Sequence, residues 1–489
     1  MIYDIAVIGD GIIGLSIAYQ LSKESSLKIA VIGKNSYNNS ASLAAGAMLN
    51  CFAEITRDSF KNQYTKSKFD LSFNALDMWP DWLDELNSQV DSSKKVRIDN
   101  ETFVVLNSKS GKLDSDNFDT MTTALKEYKQ PWQFVDYRDI EGFDPSEESR
   151  PLRSIRLDKE GSIESGKFIN LLKQVLESKQ NVTFVNQIVN DINCNFYGIN
   201  SVNLDNGEKV SADKFIFAAG VYTQNLLDKL PQINERIPRV LSGTGYAAVI
   251  DQSYENKIKS VIRTPNRSGA CGLHVVPNGE NLYIGATNNV CFTPTTQPKM
   301  GLLQFLMNCT IEQINYRLYN SNIIETRFGN RPVSVDTFPL IGKTSMDNLW
   351  VVTGTYRDGF HQSPFIAKNI ANDVLGKEAN IDPLFLPERD LIVSMKDIED
   401  SIEETSQHYI AGLIEHSFKL PKLFPEESLR KLFVEKFRRV YDELGISYPL
   451  SPDILFMFEL DGQKDDNMEY FKNYKFTRSL EVISNDNVA

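Results

Sequence analysis

The chain has 489 residues, 41% of them apolar, which is enough for two or three domains with buried cores. Its net charge of −13 argues against nucleic acid or an anionic membrane as the main partner. The five cysteines are an odd number without a CxxC pair, which argues against a disulfide framework or a metal site. No apolar run reaches the roughly 18 residues of a membrane span. We expect a globular protein that is cytoplasmic by default.

The N-terminal segment has the pattern of a βαβ unit. An apolar strand at Ile5–Gly9 precedes a helix from about Ile12 to Ser22, and a second strand follows at Leu27–Ile32. Alternation of strands and helices indicates a parallel sheet, because parallel neighbours need a crossover connection. The segment therefore predicts an α/β domain.

Three glycines stand between this first strand and the helix in the spacing GxGxxG. Gly9 permits a tight turn, Gly11 lets the backbone approach a pyrophosphate, and Gly14 lets helix and strand pack closely. A carboxylate for the ribose is expected where the second strand ends, but that residue is Gly33. The glycines predict a dinucleotide site and leave NAD, NADP and FAD open. A plain glycine turn in an α/β domain is the alternative.

The middle of the chain has shorter elements. Residues 52–88 have a helical pattern, and residues 158–178 are predicted to open with a turn and to continue as an amphipathic helix. Hairpins are predicted to turn at Asp205–Gly207 and at Pro277–Gly279. Residues 348–376 are predicted to form a strand, a glycine-rich loop and a helix, a second place where the backbone can approach a ligand.

Four separated motifs carry a resemblance to a known family. They are NSASLAAGAML at 39–49, FIFAAGVYTQNLL at 215–227, GNRPVSVDTFPLIG at 329–342 and VVTGTYRDGFHQSP at 351–364. Together with the N-terminal glycines, they resemble the FAD-dependent D-amino-acid oxidase, glycine oxidase and sarcosine oxidase group over about residues 1–385. The resemblance implies FAD as the cofactor. The glycine at position 33 is then interpreted as the local loss of one contact to the adenosine ribose.

The resemblance also implies a fold. We expect an α/β, Rossmann-like FAD-binding domain of the D-amino-acid oxidase and glutathione-reductase type, with a mixed or antiparallel substrate domain and a helical C-terminal extension. The expected division assigns 1–50, 155–230 and 330–385 to the FAD-binding domain, 51–154 and 231–329 to the substrate-binding domain, and 386–489 to the extension.

Residues that contact FAD are implied by the same motifs. The glycine turn would hold the pyrophosphate, the segment after residue 39 would line the path to the isoalloxazine, the backbone at Ile188 would meet the adenine, and the segment 357–361 would bring a helix N-terminus to the flavin. The full expected set is Gly9, Gly11, Ile12, Ile13, Gly14, Lys34, Asn35, Ser40, Ala45, Gly46, Ile188, Ala218, Ala219, Gly220, Arg331, Arg357, Asp358, Gly359, Phe360 and His361.

Three residues are candidates for substrate contact. Arg331 matches the arginine that grips a substrate carboxylate in amino-acid oxidases, and a guanidinium offers a planar fork for both oxygens; the alternative is a buried arginine that ties loop carbonyls together. Arg357 either binds a second acidic group or pairs with Asp358. His274 stands where the family usually has a tyrosine, so it either faces the substrate amine and titrates in the pH–rate profile, or is a structural strand histidine.

The mode of FAD binding is predicted as non-covalent. Some relatives attach the flavin through a cysteine after the arginine motif or a histidine near the first glycines. Here RPVSVDTFPL has no cysteine, and the first 270 residues have no histidine. The ribose would be held by backbone or by Lys34 and Asn35, and an acid placed at position 33 is expected to tighten FAD.

The resulting functional expectation is oxidation of the C–N bond of an amino acid or related amine, with hydride transfer from Cα–H to flavin N5 and hydrolysis of the imine product. The alternatives are a flavin dehydrogenase of a 2-hydroxy acid or alcohol, and an enzyme or binding protein for a carrier-linked or protein-linked substrate. The extension contains a helix that ends before Gly445, and its apolar face could be a lid, a homodimer contact or a carrier-docking surface. This face consists of Leu429, Leu432, Phe433, Phe437, Val440 and Leu444.

Overall fold

The protein is described here by a computed structural model that covers residues 1–34, 39–252, 256–267, 272–415, 417–419, 421, 425–460 and 464–475. Two β-sheets carry the fold, and helices pack on them. Among the described residues, no helix is long and apolar enough to cross a lipid bilayer. The α/β fold class predicted from the sequence is confirmed.

The first sheet has eight strands within the described ranges, in the order β17-β18-β10-β1-β2-β7, with the hairpin β8-β9 attached to β10. Strands β18, β10, β1, β2 and β7 are parallel, as the βαβ pattern predicted, and β17 is antiparallel to β18. The strands are β1 Ile2–Ile8, β2 Ile29–Ile32, β7 Val182–Val185, β8 Val189–Cys194, β9 Ile199–Leu204, β10 Lys209–Phe217, β17 Leu340–Lys343 and β18 Leu349–Thr353.

The second sheet is mixed and has ten strands in the part of the chain that is described. Its order is β15-β11-β14-β13-β12-β4-β6-β3, and β16 and β5 pair with β11 and β6. The strands are β3 Met48–Leu49, β4 Ile98–Asn107, β5 Trp132–Phe134, β6 Pro151–Ile163, β11 Val240–Ile250, β12 Val261–Arg263, β13 His274–Asn278, β14 Asn281–Gly285, β15 Asn289–Cys291 and β16 Ile323–Ser334.

The helices of the described ranges include long ones that cover the sheets and short ones in connections. Helices α1, α6 and α10 share one apolar core with β1, β2 and β18. The helices are α1 Ile12–Ser22, α2 Ala41–Ala44, α3 Gln63–Leu76, α4 Trp79–Asn87, α5 Lys112–Glu127, α6 Ser165–Glu177, α7 Thr223–Leu227, α8 Pro231–Asn234, α9 Met300–Gln313, α10 Gly359–Val374, α11 Ile398–Glu415, α12 Glu426–Leu444, α13 Pro452–Leu460 and α14 Lys464–Asn473.

The local predictions mostly agree with these elements. The first helix and both hairpins are confirmed, because α1 has the predicted bounds, β9 and β10 are antiparallel, and β13 and β14 are antiparallel. The second hairpin turns at Gly279 and Glu280, slightly later than predicted, since Pro277 and Asn278 still pair within the sheet. The predicted turn at the start of 158–178 is wrong, since β6 continues to Ile163. Glu160 lies in this strand and is buried, and its carboxylate accepts backbone N–H groups from Cys51, Phe52 and Ala53. These donors compensate the burial of the Glu160 carboxylate, so the strand can continue through this polar position.

The C-terminal extension packs against its own chain. Phe437 and Leu444 of α12 are fully buried, together with Ile454 of α13, in a cluster that includes Val333 of β16 and Tyr356. The predicted apolar face of α12 is therefore largely covered within the chain, because the second sheet offers it an apolar partner. Of that face, Leu432 is the residue that remains well exposed.

Candidate flavin and substrate site

A cleft of about 430 Å³ lies at the carboxyl edge of the first sheet. Ile8 at the end of β1, Ile32 at the end of β2 and Val352 near the end of β18 contribute to one wall, and Asn330 and Arg331 of β16 contribute from the second sheet. Ligands of parallel α/β sheets bind beyond the carboxyl ends of the strands. The two sheets thus create one cleft from opposite sides.

Most of the predicted cofactor residues line this cleft. The glycine turn, the segment after residue 39, the loop after β7 and the segment before α10 converge there although they are far apart in the sequence. The predicted residues on the cleft wall are Gly9, Gly11, Ile12, Ile13, Lys34, Ser40, Ala45, Ile188, Ala218, Ala219, Gly220, Arg331, Arg357, Gly359 and Phe360.

The remaining predicted residues lie elsewhere. Gly14 packs under Gly9, where a methyl group would come within 2.0 Å of the Gly9 carbonyl oxygen, and Gly46 faces the ring of Tyr283. Asp358 lines a second cavity, and the His361 imidazole contacts the carbonyl oxygen of Ser72 at 2.8 Å. His274 is buried away from the cleft wall, and Asn35 lies outside the described residues.

The glycine turn fits a dinucleotide. A methyl group at Gly9 would lie 2.2 Å from the carbonyl oxygen of Ala218, so β1, β10 and α1 approach more closely than any side chain permits. The first turn of α1 contains no acidic residue, and the Ile12 amide donates to the Ser42 hydroxyl 3.0 Å away. The positive end of the α1 dipole therefore faces the cleft, as a pyrophosphate requires.

A second helix N-terminus points at the same cleft. Helix α10 begins at Gly359, and neither its N-cap side chain nor an acidic residue in its first turn satisfies the terminal amides. Gly359 and Phe360 lie on the cleft wall, whereas the His361 ring is turned towards α3. Burial lowers the pKa of His361 to about 4, so this ring is neutral at physiological pH.

Arg331 is held at the cleft wall by neutral acceptors. Its Nη1 donates to the carbonyl oxygen of Thr287 and to Oδ1 of Asn288, both at 3.2 Å. The guanidinium lies over Gly245, where a methyl group would come within 2.1 Å of Nη2. Within the described residues, this half-buried guanidinium has no carboxylate partner. A cation in that state attracts an anionic ligand, because its partial desolvation is not compensated by the chain itself.

Arg357 connects the cleft to a second cavity of about 200 Å³. Its guanidinium lies 5.1 Å from the ring centroid of Tyr356. Glu54, Lys68 and Asp358 line this second cavity. Burial raises the pKa of Asp358, and the nearby Glu54 carboxylate raises it further. The carboxyl of Asp358 therefore lies behind the cleft wall and close to a charged cluster.

His274 has the surroundings of a structural histidine. The residue is 2% exposed, its Nδ1 lies 3.1 Å from the carbonyl oxygen of Gly272, and its ring stacks on Tyr283. Burial and the positive charge of Arg263 lower its pKa to about 3. Of the two alternatives for His274, these surroundings favour the structural one, since an imidazole with so low a pKa is neutral over the usual assay range.

The nucleotide edge of the cleft also revises the expectation for position 33. A methyl group at Gly33 would lie 2.6 Å from Cγ of Asp10, which also lines the cleft. Lys34 reaches Asp205 at 3.3 Å, and Asp205 accepts the amide of Ile188 at 3.1 Å. An acid placed at position 33 therefore collides with an acid that is already present, and we no longer expect it to tighten FAD.

The parallel sheet, the glycine turn before α1 and the second sheet over the same cleft define a dinucleotide-binding α/β protein. The chain belongs to the DAO family of FAD-dependent oxidoreductases, whose family model matches residues 4–372. This finding confirms the resemblance and the cofactor, and the chain is an FAD-dependent oxidoreductase. When bound, FAD would be held by the glycine turn and by the N-termini of α1 and α10.

Individual relatives are distant. A bifunctional protein ThiO/ThiG from Trichormus variabilis (strain ATCC 29413 / PCC 7937) is 29% identical over 177 residues, which are 36% of this chain and 24% of that protein. The chain thus matches about a quarter of the length of this relative. Glycine oxidase from Geobacillus kaustophilus has a similar fold, with a TM-score of 0.68, 18% identity, and coverage of 80% of this chain and 100% of that chain.

A third similar protein is named for a different substrate. L-alpha-glycerophosphate oxidase from Mycoplasma pneumoniae, solved with FAD bound, has a TM-score of 0.61 and 16% identity, and the match covers 80% of this chain and 99% of that chain. Both solved structures are similar in fold alone, and their names indicate that this fold accommodates more than one substrate class.

Several site residues were missed from the sequence. Gly245 carries a weak signal, because a glycine within a strand often marks a close approach of another group. Tyr356 lies within the motif at 351–364 but was not singled out, and Asn288 carries no sequence signal, since the importance of both depends on the contacts that join them to Arg331. Asp453 lies in the extension, outside the matched family region, and touches this network.

Proposed function

We propose that this protein oxidises the C–N bond of an amino acid or related amine, with Arg331 binding the substrate carboxylate. The observation that carries the proposal is the half-buried Arg331 guanidinium on the cleft wall, which is held by two neutral oxygens and has no carboxylate partner within the described residues. A planar guanidinium accommodates both oxygens of a carboxylate and fixes its orientation.

Bound FAD supplies the oxidant, since it accepts a hydride equivalent from the carbon that bears the amine. The chain supplies orientation and electrostatics. Arg331 anchors one end of the substrate, and the N-termini of α1 and α10 direct positive dipole ends into the cleft. We further propose that the first sheet forms the core of the FAD-binding domain and the second sheet that of the substrate-binding domain.

The function is tested by anaerobic bleaching of the flavin absorbance. Purified holoenzyme is mixed with D-amino acids, glycine, N-methyl amino acids, L-amino acids and 2-hydroxy acids in separate reactions. We expect one of the amine classes to bleach the flavin with release of ammonia or an amine. Bleaching by none of the amine classes would refute the proposal.

A second candidate is oxidation of a 2-hydroxy acid or alcohol. The Arg331 guanidinium would bind the carboxylate of a hydroxy acid equally well, and a protein of similar fold is named for glycerophosphate. Product analysis separates the two, because a hydroxy acid yields a keto acid without ammonia. Release of ammonia or an amine therefore indicates oxidation of a C–N bond, and its absence indicates oxidation of a hydroxy acid or alcohol.

Arg331 itself is tested by substitution. Arg331→Ala should raise KM for a carboxylate substrate by two orders of magnitude or more, since about 3 kcal/mol is lost with two charge-assisted hydrogen bonds. FAD content, measured from the visible spectrum, is the control for folding. A KM close to the wild-type value would remove Arg331 from the substrate site.

A further inference from the structure

We propose that Asp453, at the start of α13, is a positioning residue that orients Arg331 through Asn288 and Tyr356. The proposal rests on the proposed function, in which Arg331 binds the substrate carboxylate. Asp453 lies 81 residues beyond residue 372, where the family match ends. The C-terminal extension would then contribute to the substrate site through Asn288 and Tyr356.

The contacts form a continuous chain from the extension to the cleft. The Tyr356 hydroxyl donates to Oδ1 of Asp453 at 2.8 Å, and Nδ2 of Asn288 donates to the same oxygen at 3.3 Å. Nδ2 of Asn288 also donates to the Tyr356 hydroxyl. On its other side, Oδ1 of Asn288 accepts from Nη1 of Arg331 at 3.2 Å. The amide of Asn288 therefore stands between a carboxylate and a guanidinium.

The chemistry of these groups permits one orientation of the amide. A carboxylate only accepts hydrogen bonds and a guanidinium only donates them. Asn288 satisfies both neighbours when its NH₂ faces Asp453 and its carbonyl faces Arg331. The opposite orientation would place NH₂ against the guanidinium and leave two acceptors facing each other. Asp453 thus fixes the acceptor that holds Arg331.

The C-terminal extension is anchored next to Asp453 by buried apolar residues of α13. Ile454 and Leu455, the next residues of α13, are fully buried in the cluster that also contains Val333 and Tyr356. This packing holds the start of α13 against the back of the cleft. Because Asp453 is in the first turn of α13, it also complements the helix dipole. A test must therefore separate the positioning role from helix stabilisation.

Asp453→Asn, combined with a measurement of stability, makes that separation. Asparagine is isosteric with aspartate and gives up the charge that complements the helix dipole, a loss that thermal unfolding reports; its amide can donate, which removes the constraint on Asn288. Asp442→Asn is the matched control, since Asp442 is an exposed acid on α12. Binding of acetate and benzoate, two carboxylates without an oxidisable C–N bond, is followed in the holoenzyme by the visible flavin spectrum. Thermal unfolding of each variant checks the fold.

We expect Asp453→Asn to raise the Kd of both carboxylates about tenfold, which is the loss of one oriented charged hydrogen bond. Asp442→Asn should leave Kd unchanged. Combining Arg331→Ala with Asp453→Asn should weaken binding no further than Arg331→Ala alone, because both changes act at one guanidinium. A wild-type Kd in Asp453→Asn, with weakened binding in Arg331→Ala, overturns the positioning role alone. Unchanged binding in Arg331→Ala, or none in the wild type, overturns the proposed carboxylate site and this assignment with it.

A separate observation concerns the missing ribose carboxylate. We infer that Asp10 takes the place of the acid that is absent at position 33 and binds the adenosine ribose hydroxyls of FAD. The two positions share one space, since a methyl group at Gly33 would lie 2.6 Å from Cγ and Oδ1 of Asp10. The carboxylate of Asp10 therefore reaches the end of β2, where a ribose-binding acid is expected.

The surroundings of Asp10 leave it able to accept further hydrogen bonds. Its side chain is 18% exposed and lines the cleft beside Gly9 and Gly11. Nζ of Lys173 lies 3.4 Å from Oδ2, longer than an ordinary charged hydrogen bond. A carboxylate has about four acceptor sites. The contact with Lys173 therefore leaves most of its acceptor capacity for ribose hydroxyls.

The test compares FAD with an FAD analogue that lacks the adenosine 2′-hydroxyl. Each is titrated into the flavin-free 489-residue chain, and Kd is measured from quenching of flavin fluorescence. The isosteric Asp10→Asn preserves shape. The reciprocal exchange of Asp10→Gly with Gly33→Asp returns a carboxylate to the end of β2 without the collision.

In the wild type, loss of the 2′-hydroxyl should raise Kd about tenfold. Asp10→Asn should raise the Kd of FAD by a similar factor and reduce the ratio between the Kd of the analogue and the Kd of FAD. The reciprocal exchange should restore that difference. Wild-type affinity and an undiminished difference in Asp10→Asn would overturn the assignment of Asp10.

Discussion

Gly245→Ala tests the substrate site more selectively than removal of Arg331 itself. Residue 245 lies in β11, and a methyl group there would come within 2.1 Å of Nη2 and 2.4 Å of Cζ of Arg331. The group that must move is the end of a flexible side chain, so the strand can stay in place. We therefore expect the guanidinium to leave its position while the fold is retained.

The magnitude follows from the contacts that are lost. Displacement of the guanidinium forfeits one or two charge-assisted hydrogen bonds to a carboxylate, at about 1.5 kcal/mol each, which corresponds to a roughly 10- to 150-fold increase in KM. FAD binding should stay near the wild-type level, because the nearest atoms to the added methyl group all belong to the Arg331 side chain, and the glycine turn follows a strand of the other sheet.

The assay is steady-state kinetics with the carboxylate substrate found by flavin bleaching, together with FAD content and thermal unfolding. Gly301→Ala is the matched control, because no atom lies within 4 Å of the methyl group that it introduces. Unchanged KM in Gly245→Ala would refute the reasoning, since the guanidinium cannot share that space with a methyl group. A loss of FAD or of folded protein would show that β11 itself had moved.

Three further predictions concern pH, the cofactor and the extension. The pKa values of His274 and His361 are about 3 and about 4 in the folded protein, below 6.5 for an exposed histidine. At these two positions the unfolded chain binds two more protons, so the histidines contribute a loss of stability as pH falls from 6.5 towards 4, by about 1.4 kcal/mol per pH unit for each histidine. Burial raises the pKa of Glu160 to about 7, which contributes in the opposite direction in the same range. Urea unfolding of the wild type and of His274→Gln at pH 6.5 and 5 isolates the histidine contribution, and an identical pH dependence in both would contradict it. Gly33→Asp should weaken the binding of FAD, because the new side chain collides with Asp10. A fluorescence titration that gave a Kd below the wild-type value would contradict this prediction. Arg267 is fully buried and forms ion pairs with Asp114 of α5 and Glu415 of α11. Arg267→Ala leaves these carboxylates unpaired and should lower the free energy of unfolding by about 3–5 kcal/mol. A decrease below about 1 kcal/mol in denaturant unfolding would argue against a buried ion pair.

The sequence alone was sufficient for features that depend on neighbouring residues. The βαβ unit, the glycine turn and the hairpin at Asp205–Gly207 follow from periodicity and turn chemistry within a few residues. Arg331 was found because it stands in a motif that resembles a family pattern. The cofactor followed from several such motifs in the right order, which a single glycine fingerprint could not establish.

The tertiary structure decided every feature that depends on distant residues coming together. The contact between Tyr356 and Asp453 joins residues 97 positions apart, and the contact between Gly245 and Arg331 joins two strands of one sheet. Gly33 reads as a defect in the sequence, but beside Asp10 it is the space that a carboxylate occupies. Periodicity carries no information about such pairs, because which side chains meet is fixed only when the sheets and the extension pack.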